Sequence, residues 1–199
     1  MAGMKAVPLK RFNAVLDSLP TKYAAIAAIG VTTGCRISEV LSLRRFDLLE
    51  RDGTLKDKIA LLKLKTRGNG VLHRFLSIPA DYREYVLDHL RQEEERGYDR
   101  PDAFVFRGKQ GRHLSRRTVW AFFRSCLGTR HGTHWMRKTF AQEMFKGFLR
   151  ETPDDPMRAL ELTRRALGHA RLDTTVRYLG IDSEKIDAVQ QQIFRRGNS

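Results

Sequence analysis

From Thr21 to Gly34 the chain reads TKYAAIAAIGVTTG, a stretch that is apolar nearly all round when wound at the helical period. Such a helix offers water no polar face, so it must lie inside the protein with other elements packed around it. Its apolar run, Tyr23 to Val31, is too short to span a bilayer, which takes about 20 residues. Thr21 reads as the cap that starts this helix and Gly34 as its end. The chain therefore folds around one buried helix.

The flanking segments supply what surrounds it. Pro8 to Leu19 (PLKRFNAVLDSL) has helical periodicity and is stopped by Pro20, and Arg36 to Leu43 (RISEVLSL) starts another helix. The period then becomes two. Ile59 to Lys65 (IALLKLK) and Val71 to Ile78 (VLHRFLSI) flank Thr66-Arg67-Gly68-Asn69-Gly70, which predicts a hairpin. Pro79 and Asp81 open a helix carrying Glu93, Glu94 and Glu95, read as a solvated face, and Phe104 to Phe106 reads as a short strand. From Ser115 the chain is predicted helical to its end, broken at Gly128–Gly132, Thr152–Pro156 and Gly168. Gly147 to Met157 (GFLRETPDDPM), with two prolines and several acids, reads as a surface loop. The expected class is mainly α with a small antiparallel β-sheet (α+β). With no internal repeat or low-complexity linker, a single compact unit is the simplest organisation.

Composition narrows the function. Of 199 residues 41% are apolar, enough for a core without disulfides or a structural metal. Lys and Arg number 37 against 23 acids, a net charge of +14 that points to a polyanionic partner, nucleic acid above all. The two cysteines, Cys35 and Cys126, form neither a disulfide framework nor a zinc pattern and read as packed thiols. The N-terminus Met-Ala-Gly-Met-Lys lacks the apolar core of a signal peptide, so a reducing cytoplasm is the expected setting and no membrane is involved.

Four scattered features belong together chemically. Arg36, in Thr33-Gly34-Cys35-Arg36-Ile37-Ser38-Glu39, opens a helix, where a cation opposes the helix dipole and needs a reason. Lys65 ends the first hairpin strand. In His134-Trp135-Met136-Arg137 the basic side chains at i and i+3 share a helical face. Leu167-Gly168-His169 is followed, after Thr174-Thr175, by Tyr178. Metal-free phosphodiester cleavage needs these residue types. Charge that builds on the non-bridging oxygens is best met by the planar fork of arginine. The leaving 5′ oxygen needs a proton from Lys or His. A tyrosine of pKa about 10 is ionised in only about one molecule in a thousand at neutral pH, and neighbouring cations raise that fraction.

TGCRISEVLSL resembles the first arginine box of the tyrosine recombinase (phage integrase) family, HWMRKTFA its His-x-x-Arg box, and LGHARLDTTVRY its Leu-Gly-His…Thr-Thr-x-x-Tyr box. Each box is weak alone, but all stand in the family's order, and the match runs over about residues 8 to 180. The resemblance implies the DNA breaking-rejoining catalytic fold and site-specific DNA recombination through a 3′-phosphotyrosine, with neither metal, ATP nor other cofactor. By position, Arg36 and Arg137 would clamp the scissile phosphate and His134 would assist proton transfer near the nucleophile. His169 would donate to a phosphate oxygen, Lys65 would be the general acid, Tyr178 the nucleophile, and Glu39 would orient the group from behind. Lys63, on the same strand face, and Arg67, in the turn, compete with Lys65 for the acid position.

Double-stranded DNA is the implied partner. Arg67, Arg107, Lys109, Arg112, Arg116, Arg117, Arg171 and Arg177 are the candidate phosphate contacts, with Arg124, Arg164 and Arg165 in the same basic clusters. Residues 1–180 are expected to be the catalytic domain. Residues 181–199 would carry a C-terminal helix (SEKIDAVQQQIF) that docks in cis or on a neighbour within a DNA-bound homo-tetramer. No separate N-terminal core-binding domain is expected. That suits either a short single-domain member, similar to the fimbrial inversion recombinases, or a piece of a longer chain. A prokaryotic, phage or plasmid source is expected from the same resemblance, and the expected lack of a second domain to close around the duplex would leave room for accessory DNA-bending proteins. The alternatives are a type IB topoisomerase-like relaxing enzyme and a catalytically silent DNA-binding regulator.

Overall fold

The computed structural model describes residues 5–62, 73–128 and 132–180. Contacts divide the chain into two compact units, Met1–Phe140 and Ala141–Ser199. No linker marks the division, because it falls inside a helix. The hairpin turn with Lys63, Lys65 and Arg67, and the expected helix at 183–194, lie outside the described residues.

In the first unit, α1 (Leu9–Leu16) buries Phe12 and Leu16, and α2 (Thr21–Thr33) is the central helix, buried at every position from Ala24 to Val31. Thr21 is its first residue and not its cap. Pro20 holds the cap position at φ −54°, and its carbonyl accepts from the Tyr23 and Ala24 amides. The ring presets the turn that a capping side chain would otherwise hold. The Thr21 hydroxyl instead accepts from Gln92 Nε2 at 3.0 Å, tying α2 to α5 (Ala80–Glu95), against which it packs.

The chain leaves α2 through Gly34 in the left-handed region (φ 63°) and enters α3 (Ile37–Leu41), then α4 (Arg45–Leu48). The small sheet is present. β1 (Ile59–Leu62) and β2 (His73–Leu76) pair antiparallel, from Ile59 opposite Leu76 to Leu62 opposite His73. Phe104–Phe106, expected as a strand, makes only an isolated bridge from Phe104 to Arg44, with the Val105 amide on the Leu43 carbonyl. Its would-be partner turns into α4 one residue later, where the Arg45 amide already bonds the Ala103 carbonyl.

The acidic run of α5 is not uniformly solvated. Glu93 lies on the buried stripe with Val86, His89 and Leu90, its carboxylate accepting from Arg96 at 2.8 Å, while Glu94 meets Arg45 at 3.4 Å. Helical phase outranks composition there. α6 (Arg116–Leu127) starts where Ser115 Oγ accepts from the Thr118 amide, and it buries Val119, Phe123 and Leu127. Cys126 is off that stripe and exposed, so only Cys35 is a packed thiol.

α7 (His134–Glu151) drives Trp135 and Met136 into the core, the indole packing on Phe12 and Phe123. Gly30 makes this possible, since a Cβ there would lie 2.6 Å from the Met136 sulfur. Thr139 Oγ1 accepts from the Val7 amide and donates to the Val7 carbonyl, so the chain's start is stitched to α7.

In the second unit α7 runs through Gly147 to Glu151, and α8 (Pro156–Leu167) begins five residues later. Gly147–Met157 is therefore mostly helical, not a loop. One interior glycine costs a helix only about 1 kcal/mol, and Asp155, accepting from the Arg158 amide at 2.8 Å, restarts the helix with Pro156 in its first turn. α8 buries Ala159, Leu160, Thr163 and Leu167 and ends at Gly168 (φ 64°), and α9 (Leu172–Leu179) packs against it and ends at Gly180. Among the described residues no helix is long and apolar enough to cross a membrane.

Candidate active site

Each unit assembles part of the predicted constellation. In the first, Gly34 ends α2 and aims its carbonyl at α7, where the Arg137 guanidinium donates to it across 103 positions of sequence. Arg137 is 2% exposed, and a charge that deep needs such partners. A Cβ on Gly34 would collide with the Phe140 ring, so the turn and α7 fit closely. Two residues on, Arg36 occupies the N-cap of α3 with its side chain about half exposed. Glu39 holds it twice, accepting from its backbone amide at 2.6 Å and from Nη1 at 3.3 Å.

His134 opens α7 one helical turn before Arg137. Its pKa lies below the ordinary histidine value. The cleft strips water from part of the ring, and Arg137, Arg36 and Lys138 repel a second positive charge. Those repulsions put Arg36, His134 and Arg137 in one electrostatic neighbourhood, with the imidazole neutral at pH 7 and able to accept a proton. A cleft of about 410 Å³ opens beside it, lined by Ile37, Arg116, Arg117, Trp120, Thr133 and His134. Trp120 is 39% exposed and carries the Arg124 guanidinium 4.7 Å from its ring centroid. The sequence reading missed Trp120 and Thr133, although an aromatic between Arg117 and Arg124 is the kind of residue that interleaves a basic patch.

The second unit brings His169 and Tyr178 together. His169 follows Gly168 in the turn between α8 and α9, and its ring meets that of half-buried Tyr178 edge-on at 5.6 Å. Nδ1 lies 3.0 Å from Oγ1 of the fully buried Thr175. Arg164 and Arg165, grouped above with the phosphate contacts, both bind the Glu161 carboxylate and hold its pKa down at about 2. Of the other basic candidates, Lys109, Arg112, Arg116, Arg117, Arg171 and Arg177 are exposed. Arg107 stacks 3.0 Å over the Tyr98 ring, and Arg171 meets Asp173 at 3.2 Å.

A mainly helical fold carrying this cationic group and this histidine–tyrosine pair defines a class. The Phage integrase family model matches residues 4–185, and the chain belongs to the phage integrase family. Tyrosine recombinase XerH of Campylobacter jejuni subsp. jejuni is 26% identical over 211 aligned residues, covering 96% of this chain and 54% of its own. Tyrosine recombinase XerC of Bacillus pumilus is 27% identical over 182, covering 86% and 53%. The chain thus spans about half the length of these curated relatives. Among solved structures the fold is similar to that of the XerA recombinase, with a TM-score of 0.66, 18% identity, 99% of this chain and 68% of the other. It is also similar to the XerH recombinase bound to palindromic difH substrate in a post-cleavage complex, with a TM-score of 0.62, 21% identity, 94% and 53%.

Proposed function

We propose that this protein cuts and rejoins double-stranded DNA at specific sites as a tyrosine recombinase. The observation that carries the reading is the convergence of Arg36, His134 and Arg137 from distant segments, held by Gly34 and Glu39. Tyr178 Oη attacks the scissile phosphorus and gives up its proton, a transfer that neutral His134 assists. The bond to the 5′ oxygen breaks as Lys65 protonates that oxygen, leaving a 3′-phosphotyrosine. Arg36, Arg137 and His169 stabilise the oxygens on which charge builds, where one placed donor contributes roughly 100- to 1000-fold in rate. A 5′ hydroxyl then reverses these steps. Because the ester conserves the energy of the broken bond, no ATP enters.

DNA as the partner is supported by the net charge of +14 and the exposed arginines and lysine of the basic clusters. XerH has been solved with difH substrate and lambda integrase as a dimer on a COC′ core site. Within this reading residues 1–180 are the catalytic domain, the segment after Tyr178 links protomers of a tetramer, and bending proteins assist.

The test is incubation with nicked suicide duplexes bearing candidate sites, followed by a denaturing gel. Wild type should yield a protein–DNA adduct, and Tyr178→Phe should bind DNA equally and yield none. Plasmid relaxation without pairing of two sites would move the reading to a topoisomerase, and DNA binding with no adduct from wild type would move it to a regulator.

A further inference from the structure

Residue 169 is gripped through its backbone and through its ring. Its amide donates to the Arg164 carbonyl at 3.0 Å, and its own carbonyl accepts from Arg164 Nη1 at 2.5 Å, with the Ala170 carbonyl at 3.5 Å. One arginine therefore brackets both polar groups of the His169 backbone. The guanidinium is itself held, because Glu161 accepts from Nε at 2.6 Å and from Nη2 at 2.8 Å, a paired geometry that fixes its plane. An arginine engaged in this way is a built element and not a loose phosphate contact. The Glu161 carboxylate stays ionised far below the pH at which an ordinary glutamate protonates, so the grip persists across the working range. At the ring, Thr175 is fully buried, and a buried hydroxyl keeps a partner. His169 Nδ1 is at hydrogen-bond distance, and the bond made at one imidazole nitrogen sets where the proton sits on the other.

We infer that Glu161, Arg164 and Thr175 are positioning residues for His169, with the Thr175 hydroxyl donating to Nδ1 so that Nε2 carries the proton offered to the phosphate. The role in the reaction rests on the recombinase reading above; the tautomer and the grip do not. Glu161 and Arg164 set the depth of the turn after Gly168, and Thr175 sets the face that the imidazole turns toward Tyr178.

Two measurements on the full chain test this. Long-range proton–nitrogen correlation spectra of ¹⁵N-histidine protein, with His169 assigned by its loss in His169→Gln, should show the neutral ring protonated on Nε2. Thr175→Val should shift it toward a mixture of tautomers and Thr175→Ser should restore the wild-type pattern. On the nicked duplexes, Arg164→Gln and Glu161→Gln should each slow adduct formation about 10- to 100-fold with DNA affinity unchanged, and the double variant should be no slower than the worse single one. A proton on Nδ1 in wild type, ring signals indifferent to Thr175→Val, or a wild-type rate in Arg164→Gln would overturn the inference. A wild type that forms no adduct would overturn the recombinase reading alone, because the spectra still decide the positioning.

Discussion

The two groups of candidate site residues are built on different length scales. In the first unit the Arg36, His134 and Arg137 group depends on contacts between segments about a hundred positions apart, seated by the Gly30–Met136 approach and the Gly34–Arg137 bond. In the second, His169, Thr175 and Tyr178 lie within ten residues, and the grip of Glu161 and Arg164 comes from the helix just before them. The cationic group is thus a product of the whole core, whereas the histidine–tyrosine pair is a property of one helix–turn–helix. Damage should spread accordingly.

The sharpest break is Arg137→Ala. It removes the proposed phosphate clamp and strands the Gly34 carbonyl, so adduct formation should fall by about 1000-fold. Chemical unfolding should show a further loss of about 1–3 kcal/mol. Arg137→Lys should recover stability better than rate, since an ammonium cannot reproduce the fork.

Gly34→Ala tests whether the first group depends on its turn. The residue would have to hold φ 63° while its methyl met Phe140, and denaturant titration should report a loss of about 2 kcal/mol. Adduct formation should fall with it, because Arg36 is displaced; a stable, fully active variant would show the turn to be incidental.

The mildest is Asp155→Ala, which uncaps α8 and should cost only about 1 kcal/mol by the same titration. A loss as large as that of Gly34→Ala would erase the contrast between a group built by long-range packing and one built locally.

Much of this was legible in the residues. The all-apolar stretch after Thr21 is the buried helix, Gly34 and Gly168 end helices in left-handed turns, and the three boxes identify the family. The misreadings share a cause. Glu93 among three glutamates, Cys126 in an apolar stretch, and Gly147 before a proline-rich run were judged by neighbours in sequence. Their surroundings are set by which way a helix faces and how far it continues, and those depend on what packs against it. Trp120 escaped notice for the same reason, since a cleft is a property of surfaces brought together.

By itself the sequence determined the local devices: helical period, the glycine turns and the family boxes. Each is settled by the conformational preferences of a few adjacent residues, which no distant contact has to supply. Only the tertiary structure decided that Arg137 is buried against the Gly34 carbonyl, that His134 is kept neutral beside Arg36, and that Glu93 faces inward. Charge placement and burial depend on distances through space, and chain folding sets those distances independently of separation along the sequence.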